Sequence, residues 1–297
     1  MQMVPGIPQG VASPARASDS NSQFGSAGQS AVRGGLQPAS APLISVSGLR
    51  KEYEAQKGES VLALDRIDFD VADGEFVTLV GPSGCGKSTL LQILAGILPP
   101  TQGQIVLKGS PVTGPRREVG VVFQEPVLLP WLKVIDNVLL PAVVHKLDLN
   151  KYRARAMELL ALVKLQGFEN RYPYELSGGM QQRVAIARAL LSDPAMILMD
   201  EPFGALDAMT REEMNLELLA IWARARKTIV LITHSIQEAV FLSDRVVVLS
   251  GRPGRVVDVV DIDLPRPRTF QMLSASAFGA AANRLRDQLM VRGGTIE

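Results

Sequence analysis

The chain has 297 residues, 46% of them hydrophobic, which is enough to bury a full core and excludes a wholly disordered protein. Its 31 basic and 30 acidic side chains leave a formal charge of +1, which excludes a broad basic field for nucleic acid and an acidic tail. A single cysteine, no apolar run of roughly 20 residues and no leading apolar segment argue against a disulfide, a membrane span and a secretory signal, so a cytosolic address is expected.

Residues 1–42 are rich in Gly, Ser, Ala, Pro and Gln with no helical or strand period, and are expected to form a disordered extension. Ordered chain is expected from about Leu43, where Ile44, Val46 and Leu49 begin a strand pattern. Short β-like runs follow at 67–71, 76–80, 105–107 and 119–123, separated by glycine-marked turns. A helical insertion comes next, with an amphipathic stretch over 151–164 that puts Ala156, Leu159, Leu160 and Val163 on one face. A helix reaching about Leu191 then precedes buried-type strands at 196–199, 228–233 and 245–249, with a helix over 208–225 between the first two. Apolar strands alternating with helices predict a mostly parallel sheet covered by helices. A strand at 256–260 and a short helix with Phe278, Ala282, Leu285 and Leu289 on one side complete the pattern, and no internal repeat is visible.

Gly81-Pro82-Ser83-Gly84-Cys85-Gly86-Lys87-Ser88-Thr89 matches G-x-x-x-x-G-K-[ST] between a predicted strand and a predicted helix, the context that motif requires. Its glycines let backbone N–H groups close around a β-phosphate, Lys87 brings charge to the β- and γ-oxygens, and Ser88 offers a hydroxyl to Mg²⁺. Cys85, beside Lys87 and a helix N-terminus, is expected to have a lowered thiol pKa and to react with alkylating reagents. Downstream, the apolar strand 196–199 delivers Asp200, placed to reach Mg²⁺ through its water shell, and then Glu201, placed to polarise an attacking water. His234 and Gln124 each follow a strand in the same way. The ring of His234 is expected to reach the γ-phosphate, and the Gln124 amide both Mg²⁺ and the water. Leu176-Ser177-Gly178-Gly179-Met180-Gln181-Gln182-Arg183 opens the helix ending near Leu191, so unpaired N–H groups and a hydroxyl face outward as a second anion site. One nucleotide has one γ-phosphate. Two chains facing head to tail would use both sites.

Together these residues, over about 43–254, resemble the ATP-binding subunits of ABC transporters. The pieces stand in that family's order: an aromatic, Tyr53, then the phosphate loop, the glutamine loop, the Ser-Gly-Gly signature, the Walker B carboxylates, Gly204-Ala205-Leu206-Asp207 as the D-loop, and the switch histidine. The resemblance implies an α/β P-loop NTPase core, with an antiparallel β subdomain and a helical insertion, about 125–190, that carries the signature. It implies an ATPase domain over 43–265 and a C-terminal helical extension over 266–297. By the same likeness Tyr53 stacks on adenine, an edge-strand tyrosine being the alternative, and Gln181 and Asp207 join Ser177, Gly178 and Gly179 among the nucleotide contacts. Gly204 stands where many members carry Ser, which departs from the pattern of a serine contact across the dimer.

Two stretches narrow the branch. Residues 123–132 (Phe-Gln-Glu-Pro-Val-Leu-Leu-Pro-Trp-Leu) and 251–256 (Gly-Arg-Pro-Gly-Arg-Val) look like the importer branch that serves nitrate, sulfonate, taurine and related solutes. Leu128, Leu129 and Trp131 are expected to offer an apolar groove to a short helix of a membrane permease, or else to fill the core under the helical insertion. No fused membrane helices, second cassette or long insertion is visible, and too little chain follows His234 for a large regulatory domain. The resemblance thus implies a peripheral subunit on the cytoplasmic face of the inner membrane, paired with a second ATPase chain, bound to permease subunits and served by a secreted solute-binding protein. A soluble ABC ATPase acting on nucleic acid or ribosomes is the alternative, opposed by the neutral charge. A guanine-reading Asn-Lys-x-Asp is absent, since Asn150-Lys151-Tyr152-Arg153 ends in Arg.

Overall fold

A computed structural model describes residues 41–54 and 60–292, with side chains to 290; nearly all of the extension expected over 1–42 lies outside these residues. Two sheets organise the chain. The first is antiparallel, in the order β2-β1-β4-β5, from β1 (Ile44–Glu54), β2 (Ser60–Val71), β4 (Gln102–Leu107) and the short β5 (Ser110–Pro111). The second has six strands in the order β10-β9-β3-β8-β7-β6. It comprises β3 (Phe76–Val80), β6 (Val119–Val122), β7 (Met196–Asp200), β8 (Thr228–Ile232), β9 (Arg245–Leu249) and β10 (Val256–Asp261). All its pairings are parallel except β9–β10.

Strict alternation along the central strands explains why they are apolar throughout. Met196, Leu198, Val247 and Leu249 face a core shared with the antiparallel sheet and with helix α1 (Lys87–Leu94). Ile197, Met199, Val246 and Val248 face the opposite core, under the remaining helices. A strand buried on both faces has no solvent side to keep polar.

That second core is roofed by α2 (Val134–Val144), α3 (Leu149–Leu162), α4 (Gly178–Leu190), α5 (Ala208–Ala225), α6 (Ile236–Leu242) and α7 (Ser276–Arg292). The four residues expected on one face of α3 are all buried, and so are Phe278, Ala282, Leu285 and Leu289 of α7, which at 17 residues is longer than expected and packs against α6, β9 and β10. Helix α2 lies inside the helical insertion expected over about 125–190, where the sequence reading delimits no separate helix before 151. Its near-uniform apolar run and internal Pro141 conceal the helical period, yet it forms because the core covers it.

Asn137 in α2 is fully buried and holds the preceding loop. Its Oδ1 accepts the Leu129 N–H at 2.8 Å, and its Nδ2 donates to the Leu129, Leu132 and Lys133 carbonyls at 3.0–3.2 Å. Removing it strands several buried polar groups at once. Asn137→Ala is expected to lower stability by about 2–3 kcal/mol, read by urea denaturation. A loss below about 0.5 kcal/mol would mean the loop finds other partners.

Candidate active site

The phosphate loop leaves the C-terminal end of β3 and enters α1 at Gly86, whose φ of 101° is left-handed. A Cβ there would lie 2.8 Å from Leu64 Cδ2 and 3.0 Å from Ala63 O, so only glycine allows the turn and the close packing together. Lys87 is 8% exposed and donates from Nζ to the Gly81 and Pro82 carbonyls at 2.9 and 3.0 Å, folded across the loop it serves. Behind the loop, Gly254 comes so near that a Cβ would sit 2.3 Å from Cys85 O. Next to it Arg252 donates from Nε and Nη2 to Gly84 O at 3.2 and 3.1 Å. The 251–256 stretch, read from sequence only as a mark of its branch, is thus a brace for the phosphate loop.

Strands β7 and β8 end beside this loop. Burial pushes the Asp200 carboxyl above its usual range, Glu201 adds to the rise, and a hydrogen bond from Ser88 and the charge of Lys87 oppose it. Glu201 adopts φ 41°, rare for a non-glycine residue, and its N–H donates to Ile232 O at 2.9 Å, continuing the β7–β8 ladder. The conformation costs of order 1–3 kcal/mol and turns the carboxylate across the strand end. His234 Nδ1 lies 3.1 Å from Glu201 Oε2. A Cβ added to Gly204 would sit 3.5 Å from Gln124 Nε2 and 3.7 Å from Glu201 Oε2, so both side chains lie on one flank of the D-loop.

Tyr53, at the end of β1, brings its hydroxyl 3.3 Å from Thr89 Oγ1, with the Lys51 ammonium 5.2 Å from its ring centre. Tyr53, Val61, Ala63, residues 83–84 and 86–89, Glu201 and Arg252 line an open cleft of about 340 Å³. A larger hollow of about 420 Å³ near the C-terminal ends of α3, α4 and α5 gathers none of these groups. The cleft is the candidate site.

One expectation changes, and two further residues have hydrogen bonds within their own chain. Cys85 is fully buried, its Sγ against Gly81, and burial pushes the thiol pKa up despite the nearby Lys87 charge. Proximity in sequence to a lysine and a helix start does not reveal that the thiol is packed in the core beside Gly81, and burial works against the lowered pKa expected from them. The native thiol is expected to resist maleimide over hours and to react in denaturant, measured by intact mass; fast native labelling would mean the loop opens. Gln181 does not face outward: its Nε2 donates to the Pro173 and Leu176 carbonyls at 2.9 and 3.3 Å, bracing the turn before the signature. Asp207 accepts from Thr210 N and Oγ1 at 3.0 and 2.6 Å and caps α5, bonds that hold its carboxyl low.

Ser177 caps α4, its Oγ accepting the Met180 N–H at 3.3 Å, and Ser177 and Gly178 are exposed. None of Ser177, Gly178, Gly179, Gln181 and Asp207 lines the cleft of its own chain.

Fold and cleft define a P-loop ATPase with its site at the C-terminal ends of parallel strands. A profile of the ABC transporter family matches residues 64–204. An uncharacterised ABC transporter ATP-binding protein of Methanocaldococcus jannaschii is 52% identical over 225 residues, 76% of this chain and 84% of that one. A taurine import ATP-binding protein of Rhizobium johnstonii is 52% identical over 214 residues, 72% and 82% of the two chains. An aliphatic sulfonates import ATP-binding protein of Bacillus cereus is 42% identical over 254 residues, 86% and 98%. Among solved structures, a dimeric ATP-binding cassette in a post-hydrolysis state with ADP and Pi superposes with a TM-score of 0.66 at 33% identity, covering 75% of this chain and all of that one. The chain belongs to the ABC transporter family, as an ATP-binding, ATP-hydrolysing member.

Proposed function

We propose that this chain is the ATPase subunit of an importer for a small anion such as a sulfonate, taurine or nitrate, working as a pair of chains beneath a membrane permease on the cytoplasmic face. The observation that carries the pairing is the signature itself. Ser177 and Gly178 begin a helix with exposed N–H groups, yet they are absent from the cleft that holds their own phosphate loop. A second chain turned head to tail supplies the missing wall to each cleft, and a solved relative is a dimeric cassette.

Within each cleft Lys87 and the loop N–H groups hold the β- and γ-phosphates, and Tyr53 borders the adenine. Among the described residues no group of three or more His, Cys, Asp or Glu side chains stands ready to hold a metal. The Ser88–Asp200 pair nonetheless fits Mg²⁺, because a hydroxyl and a half-buried carboxylate with a raised pKa gain from a cation. Ser88, Asp200 and Gln124 would hold it together with nucleotide oxygens, and it would offset the phosphate charge. Glu201 polarises the water, and His234 orients Glu201 and reaches toward the γ-phosphate.

The permease contact has a narrower base than the sequence implied. Leu128 packs against the core, whereas Trp131 is 70% exposed and Val127 58%. Arg188 fixes their loop by donating to the Pro126 and Val127 carbonyls at 2.7 and 2.8 Å. Trp131→Ala is expected to cut recovery of co-expressed permease in a pull-down by about ten-fold, as loss of a buried aromatic anchor does, while MgATP binding is unchanged. Full recovery of permease would count against this docking surface.

A further inference from the structure

Two charged side chains outside the cleft join the His234 turn to the D-loop. Arg211, in α5, donates from Nε to Phe203 O at 3.2 Å and from Nη2 to Leu206 O at 2.8 Å and Gly204 O at 3.5 Å. The same guanidinium lies 3.8 Å from Glu238 Oε1. Glu238, in α6, is 7% exposed, and its other oxygen accepts from Thr233 Oγ1 at 2.5 Å. Thr233 Oγ1 also accepts the Ser235 N–H at 3.0 Å, and Ser235 Oγ accepts the Glu238 N–H at 3.2 Å, so the residues on both sides of His234 are fixed by this knot. At its far end Gly204 N donates to Glu201 O at 3.0 Å. A continuous path therefore runs from Glu201 through the D-loop, Arg211, Glu238 and Thr233 to His234.

We propose that Arg211 and Glu238 act as one positioning unit for hydrolysis, holding His234 against Glu201 and fixing the D-loop relative to both. This rests on the catalytic reading of Glu201 and His234 given above. A buried carboxylate stays in place only while its partners remain, and removing one leaves an uncompensated charge that relaxes by moving. The C-terminal half of helix α6 is buried and bonded by Arg266 and Arg268, so the bonds through Thr233, Ser235 and Glu238 are what hold its first turn. A displacement of about 1 Å at a catalytic group can cost on the order of 100-fold in rate. Neither Arg211 nor Glu238 lines the nucleotide cleft, so binding and turnover should separate.

The test compares Glu238→Gln, Arg211→Met and the double variant in the full chain, by steady-state ATPase and by equilibrium MgATP binding. Each single variant is expected to lower kcat by about ten-fold or more with Kd within about two-fold, and the double to be no worse than the poorer single. Thr233→Val removes the bond to Glu238 without deleting a charge and should lower kcat in the same direction; it decides the matter if a charge variant fails to melt cooperatively by circular dichroism. Unchanged kcat in folded variants, additive losses, or affinity lost in parallel with rate would each overturn the proposal. Glu201→Gln in the same assay separates the two levels. If it keeps wild-type turnover the catalytic reading falls, and if it is inactive while Glu238→Gln turns over normally only the positioning unit falls.

Discussion

Glu201→Gln is expected to bind MgATP with near wild-type affinity and to hydrolyse it roughly 10²–10⁴-fold more slowly, the range lost with a general base. The amide matches the carboxylate in shape, so it can keep the left-handed turn at φ 41° and the 3.1 Å contact to His234. It cannot take a proton from water. Asp200 keeps its bond from Ser88 and its place beside Lys87 and loses only the repulsion of the Glu201 charge, which leaves the metal and phosphate side of the cleft able to bind. The substitution also removes a negative charge from the cleft wall, so trapped ATP should hold two chains together for longer. Single-turnover hydrolysis and filter binding on the same preparation separate the two effects; a variant that loses binding and rate equally would assign Glu201 to nucleotide affinity instead.

Ser177→Arg should abolish turnover from the opposite side. The substitution removes the cap on α4, a local cost of about 1 kcal/mol, and places a long cation where the helix start is exposed. Because Ser177 is absent from its own chain's cleft, MgATP binding to the single chain should persist. What is lost is the wall offered to another chain. Ser177→Ala loses the same cap without the bulk and should keep part of the activity, which distinguishes capping from obstruction. In the Glu201→Gln background, Ser177→Arg should convert an ATP-dependent dimer seen by light scattering into a monomer. A dimer of unchanged strength would place the interface elsewhere.

The parts of this architecture that were legible in the sequence are those whose physics is local. Residues 76–80, 196–199 and 245–249 read as strands because burial on both faces demands near-continuous apolar runs. Lys87 reads as a phosphate contact because strand, loop and helix start follow one another along the chain, and Asp200 and Glu201 read as partners because they end an apolar strand. The rest depends on partners far away. Cys85 owes its burial to the core that it shares with strand residues such as Leu249. Arg252 meets Gly84 across 168 positions. Arg211 and Glu238 look like ordinary charged residues on helix faces until folding brings α5 and α6 together. Helix α2 was hidden for another reason: with polar residues at few positions, its run has no period to detect.

The composite site is tested most directly by cross-linking two differently tagged chains, both Cys85→Ala and Glu201→Gln, one with Ser83→Cys and the other with Ser177→Cys. With a short bis-maleimide and MgATP, the head-to-tail pair predicts a product carrying both tags at twice the chain mass, absent with ADP. Nucleotide bound to both chains without any inter-chain product would contradict a site shared between the phosphate loop of one chain and the signature of the other.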